Sequence, residues 1–182
     1  MIEFPPMSKI ARLSRLCTIT EKIDGTNSSI YISEDASEFL VGSKNCWITP
    51  AQDNFGFARW AYTHEDELRT LGPGHHFGEW WGLGIQRGYG QKEKRFSLFN
   101  TYRWSDVLGA RPACCSVVPI LYEGLFDSFA VATTLAMLQA DGSHAAPGFM
   151  KPEGVVIYHQ AAKQYFKKTI LNDEKPKNSK EE

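Results

Sequence analysis

The sequence has no Cys-x-x-Cys pair, no surplus of charge of either sign and no long apolar run. Its four cysteines, Cys17, Cys46, Cys114 and Cys115, lack zinc-type spacing, and the adjacent pair is poorly suited to ordinary disulfide geometry. Free thiols in a reducing compartment are the expectation. No stretch approaches the ~20 apolar residues of a spanning helix, and the opening MIEFPPMSKIARLSRL has no apolar h-region after a basic start. An intracellular, cytoplasmic location with no membrane partner is expected. With 20 Lys and Arg against 21 Asp and Glu, the formal net charge is −1. Any polynucleotide must therefore be held by a local patch rather than by the field of the whole chain.

What is present is a rhythm of short segments rich in β-branched and aromatic residues, separated by Gly, Asn or Asp. Strands are expected at Cys17 to Ile23, Ser28 to Ser33, Glu38 to Ser43, His76 to Trp81, Arg95 to Phe99, Val117 to Phe126, Gly154 to His159 and Gln164 to Leu171. Between them, Phe57, Trp60, Ala61, His64, Leu68 and Leu71 recur at helical spacing and stop at Gly72-Pro73. A second helix is expected from a cap at Asp127 or Ser128, through Phe129, Ala132, Leu135 and Leu138, to Gly142. A short helical turn is expected from Ser105. This pattern predicts an α+β domain of mostly antiparallel sheets with helices on their outer faces. It covers residues 1–171, followed by a charged tail at 172–182 with no apolar face.

Several segments carry chemistry-bearing residues, each weakly when taken alone. In EKIDGTNSS, Lys22 precedes Asp24 and Gly25 at the end of an expected strand. Chance yields K-x-D-G in roughly four of every hundred chains of this length, and a surface lysine before an Asp-Gly turn is the plain alternative. In FGEWWGLGIQRGYG, Glu79 lies among aromatics ahead of a glycine-rich loop containing Arg87, and a carboxylate there can accept from ribose hydroxyls. RFSLFNTYRW supplies Phe99, either a core residue or a flat ring for a nucleobase. KPEGVVIYH sets Glu153 before a buried strand, where a hard divalent cation would favour its oxygens. In QYFKKTI, alternation places Phe166, Lys168 and Ile170 on one face and Tyr165, Lys167 and Thr169 on the other. Lys167 is thus the better candidate for a phosphate contact. His75 and His76 are assigned loop or surface duties.

The ordered set EKIDGTN, VGSKN, FGEWWG, RFSLF, EGVVIY and YFKK resembles the covalent nucleotidyltransferase superfamily of polynucleotide ligases and capping enzymes. Its Glu-Lys-x-Asp-Gly-x-Asn form is most similar to ATP-dependent RNA ligases of the RNA ligase 2 type, which seal RNA breaks. The resemblance runs from Glu21 to Lys168, and six weak matches in family order are far more specific than any one. It implies a nucleotidyltransferase fold, an ATP-grasp-like ligase domain, in which Lys22 is adenylylated. It further implies Glu79 at the ribose, Phe99 against adenine, Glu153 at the metal and Lys167 at the α-phosphate, with Glu21, Asn27 and Lys44 in the nucleotide site. ATP and Mg²⁺ are the implied cofactors, and RNA with 5′-phosphate and 3′-hydroxyl ends is the implied partner. A partner protein or a further domain would complete the RNA-binding surface. Two positions depart from the pattern: Lys44 stands where many RNA ligases have Arg, and Thr169 stands where the last motif has its second Lys. The alternatives are a DNA ligase or capping-type nucleotidyltransferase, and a nucleotide-binding module that does not join ends.

Overall fold

The computed structural model describes residues 5–7, 9–104 and 111–174. It is an α+β arrangement of two sheets with few helices, as the strand rhythm predicts. The smaller sheet has the order β10-β9-β1-β8, built from β1 (Leu16–Lys22), β8 (Ile120–Leu125), β9 (Gly154–His159) and β10 (Gln164–Thr169), all antiparallel. The larger has the order β4-β3-β2-β5-β6-β7, from β2 (Thr26–Ile32), β3 (Phe39–Ser43), β4 (Cys46–Ile48), β5 (Gly74–Gly82), β6 (Lys94–Leu98) and β7 (Cys115–Val117). Only its β6–β7 pair is parallel. The chain crosses from one sheet to the other within Ile23–Gly25, between Lys22 and Thr26.

Two departures from the expected strands have clear causes. The segment Val117 to Phe126 is not one strand but the end of β7 and all of β8, in different sheets. Pro119 stands at the break, where it has no N–H to continue a ladder; its carbonyl instead accepts from Glu21 N at 2.9 Å, while Val118 N reaches back to Leu98 O at 3.1 Å. Strand β4 was not expected, because three residues are too short for alternation to show. The turn expected at Ser105 lies outside the described residues, as does all but the start of the 172–182 tail.

Helix α1 (Phe57–Thr63) and the short α2 (Glu65–Leu68) pack on the larger sheet, with a single 3₁₀ turn at Arg69–Leu71 leading to Gly72. Asp53 satisfies the start of α1: its Oδ1 accepts from Ala58 N at 2.8 Å and its Oδ2 from Arg59 N at 3.1 Å, which removes two of the orphan donors every helix start carries. Phe57 is fully buried against Trp60, Trp80 and Phe96, at ring separations of 5.7, 5.3 and 5.0 Å. Helix α3 (Ser128–Asp141) covers the smaller sheet, with Asp127 Oδ1 accepting from Phe129 N at 3.1 Å and Gly142 at its end with φ 83°.

The buried stripe of α3 differs from the expected one. It comprises Val131, Thr134 and Leu138 with Leu135 beside them, whereas Phe129 is 74% exposed and Ala132 faces solvent. Thr134 can be buried because its Oγ1 donates to Ala130 O at 2.8 Å. This packing leaves Cys17, Ile19, Val155 and Ile157 under α3, and a third cluster between the sheets around Ile23, Trp81, Tyr89 and Val118.

The depth of Phe57 sets a stability test. Phe57→Ala is expected to cost about 3–5 kcal/mol in urea unfolding. Phe166→Ala, at a side chain 51% exposed, should cost less than about 1 kcal/mol. Equal losses would contradict this placement of the core.

Candidate active site

The site begins where β1 ends. Strand alternation sends Cys17, Ile19 and Glu21 toward α3 and leaves Thr18, Thr20 and Lys22 on the opposite face. Lys22 is registered against Gly154, so Glu153, just ahead of β9, lies beside it. Lys22 Nζ and Glu153 Oε2 are 2.6 Å apart, with side chains 18% and 5% exposed. A largely enclosed lysine side chain thus meets an almost wholly enclosed carboxylate, a geometry in which each group offsets the desolvation of the other.

The turn after Lys22 is braced from the larger sheet. Glu79 Oε1 accepts from Gly25 N at 2.9 Å. A Cβ on Gly25 would collide with the Trp80 carbonyl oxygen and come within 2.8 Å of Trp81 Cβ, so only glycine lets the turn lie this close to β5. Asp24 N donates to Tyr89 Oη at 2.8 Å. Burial, with the nearby carboxylates of Glu21, Glu153 and Asp24 adding to it, pushes the Tyr89 phenol above its usual range, so it stays protonated. Arg87 ties the turn to the segment before Glu153: Nε donates to Asp24 Oδ2 at 3.0 Å and Nη1 to the Lys151 carbonyl at 3.0 Å.

The residues singled out by sequence fall as follows. Lys22, Glu153 and Glu79 converge on the turn between the sheets. Asn27 is exposed and is the cross-strand partner of Glu79. Lys44 is exposed in the β3–β4 turn, at φ 52°, and its backbone N donates to Asn27 O at 3.1 Å. Phe99 continues β6, with its N donating to Phe77 O at 3.0 Å, and its half-buried ring packs against the cluster of Ile23, Trp81 and Tyr89. Lys167 is paired with Val156, which is paired with Thr20; it therefore shares the face of Lys22, two strands across. Lys168 is paired with Val155 on the opposite face, and its Nζ lies 3.1 Å from Asp173 Oδ2. Thr169, at the position of the missing lysine, lies in the same cross-strand row as Lys22.

Glu21 is not brought into this group. It is 1% exposed on the α3 side, where Oε1 accepts from Ser143 Oγ at 2.6 Å and Oε2 from His144 N and Ala145 N at 2.8 and 2.9 Å. It anchors the loop after α3. His76 is also buried, within β5 and with its Nε2 bonded to Gly72 O at 2.8 Å, which corrects its assignment to loop or surface duties. Sequence reasoning gave no role to Arg87, Tyr89 or Ser143, whose partners lie 63 to 122 residues away along the chain.

Among the described residues, no group of three or more His, Cys, Asp or Glu side chains could hold a metal ion, and no helix is long and apolar enough to cross a membrane. Glu153 fits a different mode of holding a cation. A hard ion such as Mg²⁺ keeps several waters and needs only one or two carboxylates plus phosphate oxygens.

The arrangement is two sheets with a lysine at their junction and, beside it, a carboxylate just ahead of β9. The RNA ligase family profile matches residues 15–170. The chain belongs to the RNA ligase family. Among solved structures, it is similar to Naegleria gruberi RNA ligase in a mutant apo form, with 21% identity and a TM-score of 0.65 over 86% of this chain and 50% of that one. A mutant of that enzyme with ATP and Mn gives 22% identity and a TM-score of 0.64 over 86% and 50%. A mutant with AMP and Mn gives 19% and 0.62 over the same shares. The likeness at this identity concerns the fold, and the chain spans about half the length of these solved chains. No curated protein sequence matched it.

The Glu21 anchor yields a measurable consequence. Bonds to a charged acceptor contribute about 1.5–3 kcal/mol each, so Glu21→Ala is expected to lower unfolding stability by at least about 3 kcal/mol and to open the 143–145 loop to proteolysis. A loss below about 1 kcal/mol would show that the loop holds without it.

Proposed function

We propose that this domain is the catalytic core of an ATP-dependent RNA ligase that works through a lysyl-AMP intermediate. The observation that carries the reading is the 2.6 Å approach of Lys22 to Glu153 at the junction of the two sheets, in a chain of this family. A surface lysine before an ordinary turn has no need of a buried carboxylate partner.

In this reading the Lys22 amine, free of its proton, attacks the α-phosphorus of ATP. A P–N bond forms as the nitrogen releases a proton to solvent, the bond to pyrophosphate breaks, and AMP remains on the lysine. The adenylyl group then passes to an RNA 5′-phosphate, and an RNA 3′-hydroxyl displaces AMP to seal the strand. Glu79 and Phe99 position the ribose and adenine, while Asn27 and Lys44 reach the phosphates from the larger sheet. Lys167, on the face of Lys22, faces the charge that develops at the α-phosphate. Displacement at phosphorus gains mainly from alignment and fixed charge. A divalent cation beside Glu153, Mg²⁺ in this proposal, supplies positive charge to the phosphates. The Naegleria gruberi enzyme with ATP and Mn supports a nucleotide and a divalent ion in this fold.

Incubation with ATP and Mg²⁺ followed by mass spectrometry tests the reading. One AMP is expected on Lys22, and none on Lys22→Ala with its fold intact. An adduct retained by that variant removes Lys22 from the role, and covalent GMP in preference to AMP moves the assignment to capping chemistry. In single-turnover adenylylation, Lys167→Ala should be slower by about 10²-fold, and Lys168→Ala much less affected. The reverse order, with both proteins folded, would contradict the assignment of the last motif.

A further inference from the structure

The face of the larger sheet that carries Asn27 and Glu79 does not end at those residues. Register and alternation place Ser29 and Phe77 in the next row, and Tyr31 and His75 in the one beyond, about 13 Å from Glu79 along β5. Trp47 of β4 joins them, paired with Gly42 across the hairpin. These rings form an ordered stack. His75 is parallel to Phe77 at 4.2 Å and 28°, and to Trp47 at 5.6 Å and 23°. Tyr31 sets its edge against His75 at 5.9 Å and 77°.

Their surroundings hold them in place. Trp47 lies over Gly42, where an added Cβ would come within 3.4 Å of the indole ring and 2.6 Å of Ser29 Oγ. The His75 ring is fixed by a 3.0 Å bond between Nε2 and Ser29 Oγ. Yet the platform is open: Trp47 is 52% exposed, Phe77 50%, and His75 is exposed as well. A folded chain gains little by leaving two large aromatics half in water around one imidazole, and such patches mark binding surfaces.

We infer that Trp47, His75 and Phe77 form a stacking platform for the bases of a single-stranded RNA end, continuous with the nucleotide site. The inference rests on the ligase reading above for the identity of the strand. Three observations favour a nucleic acid strand over a protein. The exposed groups in the stack are aromatic rings rather than aliphatic side chains, and every base can stack on an aromatic ring without regard to sequence. The row is collinear with Glu79 and Asn27, so a strand lying on it is led toward the Lys22 junction. Toward the nucleotide site the row is bordered by Lys44 and Asn27, exposed residues that suit the phosphates of a strand as well as those of a nucleotide. With a formal net charge of −1 supplying no general attraction for RNA, stacking on this platform is the main source of affinity in the proposal.

The test uses the full chain and a fluorescently labelled single-stranded RNA carrying a 5′-phosphate, with binding read by anisotropy. Stacking contributes about 1–3 kcal/mol per base, so Trp47→Ala and Phe77→Ala should each weaken binding by roughly 5- to 150-fold. Trp47→Phe should restore most of the loss. Self-adenylylation of Trp47→Ala without RNA should match that of the unaltered protein, because Trp47 lies outside the nucleotide site. Unchanged RNA affinity in both alanine variants, absence of binding by the unaltered chain, or a parallel loss of self-adenylylation would overturn the proposal. So would a Trp47-dependent dimer in sedimentation, which would make the platform a contact between copies. RNA binding that persists in a protein forming no AMP adduct would sink the ligase reading and leave the platform standing.

Discussion

A carboxylate as enclosed as that of Glu153 requires a cation, and the position of Lys22 supplies one at 2.6 Å. The rest of the site follows from that requirement. To bring the two groups together the β1–β9 register must end at Lys22 and Gly154, with Glu153 immediately outside the ladder. The pairing is not an efficient way to stabilise a fold. Desolvation of two charges offsets much of their attraction, and apolar groups of the same volume would often serve stability as well or better. Its cost is understandable where the amine and the carboxylate are both needed for chemistry, and where a substrate's phosphates and a cation can rearrange the charges around them.

Three tethers keep this junction from opening. Glu79 receives the Gly25 N–H from across the sheets, and Arg87 spans from Asp24 to the Lys151 carbonyl. Glu21, with its back to the Lys22 face, holds the loop after α3 by three bonds from Ser143, His144 and Ala145. Neighbouring residues Glu21 and Lys22 thus divide their labour by the alternation of one strand, the first building the wall and the second facing the space it encloses. The larger sheet shows the same economy: its inner face buries Ile30, Trp80 and Phe96 against α1, and its other face carries Glu79, Phe77 and His75.

Much of this was legible in the sequence because strands advertise their faces. The alternation that separates Lys167 from Lys168 in QYFKKTI reappears in the register with Val156 and Val155. The helical spacing from Phe57 to Leu71 is realised in α1, α2 and the turn that follows. Legibility failed where tertiary context decides. Pro119 divides an apparently continuous apolar run between two sheets, and the buried stripe of α3 passes through Thr134 instead of Phe129, because a threonine can return its hydroxyl to its own helix. The Arg87, Tyr89 and Ser143 contacts join segments far apart in sequence and leave no local pattern. Glu21 carries no sign of its anchoring role, since a buried carboxylate and an exposed one are spelled alike.

In the proposed reaction Lys22 and Glu153 act as one unit in nucleotidyl transfer. Single-turnover transfer of labelled AMP from ATP to the protein, compared between the unaltered chain and Glu153→Gln, tests it most directly. Glutamine keeps the shape and removes the charge. A large loss of the adduct rate is expected in a protein that still folds. An adduct formed by Glu153→Gln as fast as by the unaltered chain would contradict it.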